Sequence, residues 1–217
     1  MSAKIKIEKK VLSENDKIAA KIRERLYEHD IASLNFVSSP GSGKTSLLEK
    51  TIGHLGSEIK IGLIAGDVQT DNDASRLKAA GGEMVRAVIT GGACHLDASM
   101  ISKALGNLDL GKIDMLFIEN VGNLVCPSSY DLGEDMKVVM MSVTEGDDKP
   151  LKYPAMFRRS SVMIINKMDL LQYCDFDLDA AKQHALRING KLEIFEISCR
   201  TGDGLTAWYE WLKSLEK

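Results

Sequence analysis

Ser38-Ser39-Pro40-Gly41-Ser42-Gly43-Lys44-Thr45 is the stretch that decides the fold of this chain. It follows an apolar, β-rich run at 31–38 and leads into a helical pattern that begins at Lys44. Glycines in such a loop let backbone N–H groups turn inward around phosphate oxygens at the start of a helix. The loop therefore predicts a phosphate-binding site, although Ser38 stands where the usual pattern has its first glycine.

Within this predicted site, Lys44 approaches the β- and γ-phosphates and the hydroxyl of Thr45 coordinates Mg²⁺. The residues expected to contact the phosphates are Pro40, Gly41, Ser42, Gly43, Lys44, Thr45 and Ser46.

Beyond the loop, short apolar runs alternate with helical patterns along the chain. Such alternation predicts an α/β fold of three layers, a P-loop nucleotide-binding fold whose mostly parallel central sheet is flanked by helices. We expect a short polar N-terminal lead at 1–12, a helix over 15–28, and a single nucleotide-binding domain at 13–217. The predicted strands are 31–38, 59–65, 84–90, 113–119, 137–143, 161–166 and 191–197.

The composition of the 217 residues excludes several classes of protein. With 44% hydrophobic and 27% charged residues, the chain has the composition of a globular protein, and no apolar run is long enough for a membrane helix. The net charge of −3 argues against a nucleic-acid partner. No secretory signal is recognised at the N-terminus, so we expect a cytoplasmic protein with reduced cysteines.

A second motif, Asn166-Lys167-Met168-Asp169, ends the predicted strand 161–166 and resembles the N-K-x-D element of GTPases. In that family the aspartate accepts hydrogen bonds from the guanine N1–H and amine, which adenine cannot donate, so Asp169 predicts a preference for GTP. A later segment resembles the fifth GTPase element, whose backbone supports the base, although a plain turn is the alternative. Its predicted contact residues are Ser198, Cys199 and Arg200.

Acidic residues at two strand ends are candidates for Mg²⁺ binding. Glu119-Asn120-Val121-Gly122 resembles the D-x-x-G element with glutamate in place of aspartate, so Glu119 is expected to hold Mg²⁺ and Gly122 to meet the γ-phosphate. Asp67, after the strand 59–65, is a second candidate ligand. A helix-capping role for Asp67 is the alternative.

Two cysteines and a histidine form a candidate metal site. Cys94 and His95 follow two glycines at the start of a helical segment, where a helix N-terminus lowers a thiol pKa, and Cys126 lies four residues beyond Gly122. These ligands suit Zn²⁺ or Ni²⁺, and three of them leave a position that a second copy of the chain can complete. Buried apolar cysteines without a metal are the alternative.

With these motifs in hand, almost the whole chain resembles the hydrogenase nickel-incorporation GTPases, HypB, of the SIMIBI class of P-loop proteins. The resemblance implies a GTP-dependent homodimer, a metal site at the dimer interface, and nickel delivery to the large subunit of a [NiFe] hydrogenase. It also implies a HypA-like zinc metallochaperone and a peptidyl-prolyl isomerase as partners. Because residues 1–13 contain neither Cys nor His, the tight nickel storage of some family members is not expected.

The expected mechanism is a switch in which GTP closes the dimer and assembles the metal site, and hydrolysis to GDP releases nickel. No motif identifies an arginine finger, so Lys149 and Lys152 are candidates to reach a phosphate across the interface. A urease accessory GTPase is the nearest alternative, although Ser128 follows Cys126-Pro127 where that family has histidine. A P-loop kinase without guanine preference and a structural zinc dimer are the others.

Overall fold

The computed structural model describes residues 3–215, with side chains from Lys10 onward. Within this part of the chain, seven parallel strands form a single sheet with the order β3-β2-β4-β1-β5-β6-β7. The predicted three-layer α/β fold is thus confirmed, with every neighbouring pair of strands parallel. The strands are β1 Ala32–Ser38, β2 Ile61–Asp67, β3 Met84–Ile89, β4 Met115–Glu119, β5 Met136–Ser142, β6 Val162–Asn166 and β7 Glu193–Glu196.

Helices cover both faces of the sheet, as parallel crossover connections require. They are α1 Ala3–Tyr27, α2 Lys44–Leu55, α3 Asn72–Ala79, α4 Ala98–Leu105, α5 Lys149–Lys152, α6 Pro154–Arg159, α7 Leu178–Ile188 and α8 Leu205–Lys213. Short 3₁₀ segments occur at Leu110–Lys112, Cys126–Ser128 and Met168–Tyr173.

Alternate residues of the central strands pack into different hydrophobic clusters. Leu34 and Phe36 of β1 pack with α2, α3 and α8 on one face, while Val37 belongs to the cluster formed with α6 and α7. A third cluster joins α1 and α4 to β2 and β4. Trp208 of α8 is fully buried, and its indole Nε1 donates a 3.0 Å hydrogen bond to Oγ1 of Thr51 in α2. These contacts fix α2, and hence the loop before it, against the sheet.

The predicted start of the first helix was wrong. Helix α1 begins at Ala3, so residues 3–12 of the expected loose lead are helical. Residues 3–14 contain no Gly or Pro and include four lysines and two glutamates, which are good helix formers, so nothing in them stops a helix. Asn15 lies inside α1 rather than near its start, and its buried amide donates a 2.8 Å hydrogen bond to the carbonyl of Asp131.

Candidate functional site

The phosphate-binding loop connects the end of β1 to the start of α2, as the sequence predicts. Gly41 and Gly43 have φ values of 78° and 98°, a left-handed conformation that glycine adopts without strain. A side chain at Gly43 would also collide with the amide of Asn166. The backbone of this loop is therefore available to line a phosphate site at the start of α2.

Ser38 has a structural role that explains its departure from the glycine pattern. Its Oγ accepts a 2.9 Å hydrogen bond from Nζ of Lys44 and donates one of 2.6 Å to the carbonyl of Ser39. Burial lowers the pKa of Lys44, which nearby carboxylates oppose. The ammonium group is thereby held at the loop, close to where phosphates would bind.

Glu119, at the end of β4, meets Thr45 across the sheet edge. Oγ1 of Thr45 donates a 2.7 Å hydrogen bond to Oε1 of Glu119. Oε2 is buried and has no hydrogen-bond partner among residues 10–215, and burial raises the pKa of this carboxyl to about 7. A buried carboxylate oxygen without a donor fits a cation such as Mg²⁺, which prefers oxygen ligands.

Asp67, the last residue of β2, lines the same cavity. Its Oδ1 accepts 2.8 Å hydrogen bonds from the backbone N–H groups of Gln69 and Thr70, which keep its pKa below the ordinary value. Helix α3 begins later, at Asn72, so this carboxylate caps the turn at 67–70 and not the helix. Its second oxygen remains oriented by the turn and ionised for cation binding.

A cavity of about 530 Å³ joins these groups at the carboxyl ends of the strands. Gly122 packs closely against Pro40 of the phosphate loop. A Cβ at Gly122 would stand 2.8 Å from Cγ of Pro40 and 3.0 Å from the backbone nitrogen of Pro40. The sequence-predicted residues that line the cavity are Pro40, Gly41, Gly43, Lys44, Thr45, Ser46, Asp67, Glu119, Gly122 and Lys167.

Arg76 of α3 also lines this cavity, and no sequence motif pointed to it. Its Nε and Nη2 donate to the carboxylate of Glu49 at 3.0 and 2.8 Å, and Nη2 lies 3.3 Å from Oγ of Ser46. The hydrogen bond and charge of Glu49 raise the pKa of Arg76, so it remains a cation on the cavity wall.

A neighbouring cavity of about 360 Å³ is lined by the residues predicted to read the base, except Ser198, which is fully buried. Asp169 is oriented by Ser198, whose Oγ donates to its Oδ1 at 2.6 Å. Asn166 joins the phosphate loop to the segment at Cys199. Its Nδ2 donates to the carbonyl of Ser42 at 2.9 Å, and its Oδ1 accepts from the N–H of Cys199 at 3.2 Å. The residues at this cavity are Gly43, Ser46, Glu49, Lys50, Asn166, Lys167, Asp169, Leu170, Cys199 and Arg200.

Cys94, His95 and Cys126 come together at the surface beside this cavity system. Their ligand atoms all lie within 4.8 Å of one another, and the two Sγ atoms are 3.2 Å apart. The predicted helix-terminus effect is wrong, because α4 begins only at Ala98, capped by Asp97. The hydrogen bond with Cys94 instead raises the pKa of the Cys126 thiol.

The surroundings of His95 favour its neutral, metal-binding form. Its ring lies 4.0 Å from the Tyr130 ring, centroid to centroid, and burial lowers its pKa. The loop around Cys94 is held by Asn123, whose Nδ2 donates a 3.1 Å hydrogen bond to the Cys94 carbonyl. Two thiols and an imidazole in this arrangement are a donor set for Zn²⁺ or Ni²⁺.

The two candidate lysines differ in the structure. Nζ of Lys149 contacts Glu145 and Ser39 of its own chain, so it lies against the phosphate loop from within the same protomer. Lys152 is exposed and pairs with Asp148 at 2.7 Å. Lys149 is thus already engaged at its own loop, and Lys152 stands on the surface.

Comparisons with known proteins agree with these features. A family model described as the CobW/HypB/UreG nucleotide-binding domain matches residues 33–196. The hydrogenase maturation factor HypB of Rhizobium leguminosarum bv. viciae is 50% identical over 96% of this chain and 70% of its own length.

Two solved structures have the same fold over nearly their whole length. They are HypB from Archaeoglobus fulgidus, with a TM-score of 0.87 and 42% identity, and HypB from Helicobacter pylori in complex with nickel, with 0.88 and 40%. Each match covers 94% of this chain and 98% of the other. This chain therefore belongs to the CobW/HypB/UreG family of nucleotide-binding proteins, within its HypB hydrogenase maturation factors.

Proposed function

We propose that this protein is a GTPase that delivers nickel during maturation of a [NiFe] hydrogenase. The observation that carries the proposal is the short path from Glu119 and Gly122, at the phosphate cavity, to Cys126 in the Cys94–His95–Cys126 cluster. Membership of the HypB family supports the hydrogenase role, and the nickel complex of the Helicobacter pylori relative supports the cargo. GTP binding and hydrolysis would gate nickel transfer through this path.

The cavity chemistry supports guanine as the base. Asp169 is an oriented carboxylate at the second cavity, and guanine offers it two N–H donors, whereas adenine offers none in that pattern. Lys167, which lines both cavities, has its Nζ 3.2 Å from Oγ1 of Thr144 and its stem is free to lie along the base.

Hydrolysis of GTP would use Mg²⁺ held by Thr45, Glu119 and Asp67. When bound, Mg²⁺ neutralises charge that develops on the phosphate oxygens. Lys44 supports the β- and γ-phosphates, and the backbone N–H groups of the loop orient them. No sequence motif identifies a catalytic base for the attacking water, so we expect slow intrinsic turnover.

A second copy of the chain would complete the metal site. Three ligands leave an open coordination position on Ni²⁺ or Zn²⁺, and the cluster is at the surface, with Cys94 exposed. We therefore propose a homodimer that GTP closes and hydrolysis opens. The proposed partners are a HypA-like metallochaperone that exchanges nickel, the hydrogenase large subunit that receives it, and a peptidyl-prolyl isomerase, all in the cytoplasm. None of the helices within residues 3–215 is long and apolar enough to cross a membrane.

The deciding experiment measures Ni²⁺ and Zn²⁺ affinity with GDP and with a non-hydrolysable GTP analogue, with oligomeric state followed by light scattering. We expect affinity or stoichiometry to differ between the nucleotides and the difference to vanish in Cys126→Ala. The matched control is Cys174→Ala, which removes a thiol outside the cluster. If metal affinity is the same with both nucleotides, the alternative of a structural zinc dimer is favoured. If ATP competes for the nucleotide site as well as GTP does, the alternative of a P-loop kinase is favoured.

A further inference from the structure

The side chain of Asn120 lies between the phosphate cavity and the metal cluster and is almost completely buried, with 1% exposed. Its Oδ1 accepts hydrogen bonds from the backbone N–H of Leu96 at 3.2 Å and of Val121 at 3.1 Å. Leu96 follows His95 directly. The amide therefore connects the segment that carries Glu119 with the segment that carries two metal ligands.

Residues before and after Asn120 are tied to the phosphate loop. Glu119 precedes it and accepts the hydrogen bond from Thr45, while Gly122, two residues after it, packs against Pro40. A change in the phosphate loop would therefore act on the backbone on either side of Asn120. Because Oδ1 is bonded to the N–H of Leu96, a displacement there would reach the backbone beside His95.

A buried polar network supports Asn120 from the opposite side. Its Nδ2 donates to Oδ1 of Asn35 at 3.2 Å, and Nδ2 of Asn35 donates to Oε1 of Glu134 at 3.1 Å. Glu134 pairs with buried Lys137, whose Nζ also donates to the carbonyl of Tyr130 at 3.1 Å.

The network extends to the metal cluster, since the ring of Tyr130 packs against the ring of His95 at an angle of 32°. Contacts therefore reach His95 by two routes, through Leu96 and through Tyr130. Buried polar groups cost stability unless every partner is present, so this network favours one arrangement of its members over alternatives. An element with discrete arrangements, biased from two sites, is the physical requirement for coupling those sites.

We propose that Asn120 is the positioning residue that makes metal affinity at Cys94, His95 and Cys126 depend on the bound nucleotide. This inference rests on the proposed function, because it assigns the coupling within that switch to a particular side chain. Asn120 is not one of the three clustered metal ligands. It acts through the backbone of Leu96 on one side and through Asn35 on the other.

The test compares Ni²⁺ dissociation constants with GDP and with a non-hydrolysable GTP analogue, using competition with a chromophoric chelator. The ratio of the two constants in the unmodified protein measures the coupling, for which roughly 5- to 150-fold is typical. In Asn120→Ala we expect this ratio to fall at least about fivefold toward one, because the hydrogen bonds that transmit the change are gone. Asn107→Ala, which removes an exposed amide that donates a 3.1 Å hydrogen bond to the Lys103 carbonyl, should keep the ratio.

A retained ratio in Asn120→Ala would overturn this inference and leave the proposed function intact, whereas a ratio of one in the unmodified protein would overturn both. If Asn120→Ala does not fold, the inference is tested instead in the unmodified protein, by measuring hydrogen exchange at the backbone amide of Leu96 with each nucleotide. Exchange that differs between the two nucleotides by at least about fivefold supports the inference, and equal exchange overturns it.

Discussion

Thr45 and Glu119, 74 residues apart in the chain, share a 2.7 Å hydrogen bond that joins the start of α2 to the end of β4. The same bond leaves the second carboxylate oxygen of Glu119 buried and without a partner among the residues with described side chains. One oxygen is thus committed to the loop, and the other is available to a cation. This division of roles makes Glu119 the most informative position in the phosphate cavity.

Glu119→Gln should reduce GTP hydrolysis by about 100-fold, because an amide is a poor Mg²⁺ ligand and the charge opposite the phosphates is lost. Single-turnover hydrolysis measured against Mg²⁺ concentration checks this. GDP binding without Mg²⁺ should be nearly unchanged. Glu58→Gln, which alters a surface pair with Lys213, is the control. Equal Mg²⁺ dependence in Glu119→Gln and the control would contradict the assignment.

The raised pKa of Glu119 predicts a pH dependence of stability in the nucleotide-free protein. Burial moves this pKa from the ordinary 4.5 to about 7, so the folded state holds a proton that the unfolded chain has released between those values. The contribution of this carboxyl to the free energy of unfolding therefore falls as pH rises from 4.5 through 7, by roughly 3 kcal/mol in all.

Urea unfolding at pH 5 and pH 8 measures this effect. The free energy of unfolding of the unmodified protein minus that of Glu119→Gln should be smaller at pH 8 by roughly 3 kcal/mol, because glutamine does not titrate. A difference that is constant across this pH range would mean that Glu119 is not buried as an isolated carboxyl.

Asp169→Asn should weaken GTP binding at least about tenfold, because the substituted amide replaces an acceptor that guanine requires. The same amide can donate to a carbonyl at C2, so the affinity for xanthosine triphosphate should rise relative to GTP. Competition against a fluorescent guanine nucleotide measures both. Ser198→Ala keeps the carboxylate and loses only its orienting hydrogen bond, so its effect should be smaller. A loss of equal size in both variants would argue against direct base contact.

The features that sequence predicts well here are local or follow from parallel-sheet geometry. The loop at Ser38–Thr45 is recognisable because its glycines, strand and helix are adjacent in the chain. Glu119 and Asp67 were expected near the loop because the carboxyl ends of parallel strands share one edge. The start of α1 was missed because Ser13 and Asn15 resemble a capping sequence, whereas the buried Asn15 side chain bonds to a distant carbonyl.

The polar network around Asn120 could not be found from the sequence. Asn35 lies 85 residues from Asn120, and nothing in the sequence of its buried strand Ala32–Ser38 indicates that distant partner. Arg76 was missed for the same reason, because its partner Glu49 lies on another helix 27 residues away. The spacing of Cys94, His95 and Cys126 suggested a cluster, but the Tyr130 ring against His95 required the fold.

Gly122→Ala should weaken binding of the GTP analogue more than binding of GDP. The added Cβ would meet Pro40 at 2.8 to 3.1 Å, including backbone atoms, so the phosphate loop must shift away from the γ-phosphate position. We expect at least a tenfold loss for the analogue, comparable to about 1.4 kcal/mol. Gly53→Ala in α2 has open space around it and should leave both affinities unchanged while stabilising the protein by about 0.5–1 kcal/mol. Parallel losses for both nucleotides would place Gly122 away from the γ-phosphate.

Lys149 offers a last test, because it lies between Glu145 and Ser39 with only 13% of its side chain exposed. Although burial alone would raise the pKa of Glu145, hydrogen bonds from Lys149 and Ser42 hold it below its ordinary value. Lys149→Met leaves this carboxylate buried without its cation, so the free energy of unfolding should fall by about 3 kcal/mol.

Nucleotide binding should also weaken in Lys149→Met, because Ser39 and Ser42, which contact Lys149 and Glu145, belong to the phosphate loop. Lys152→Ala removes only an exposed pair with Asp148 and should change stability by less than about 0.5 kcal/mol. Urea unfolding and single-turnover hydrolysis of both variants provide the comparison. If Lys149→Met is as stable as Lys152→Ala yet hydrolyses GTP more slowly, Lys149 acts on the phosphates and not as a support for the loop.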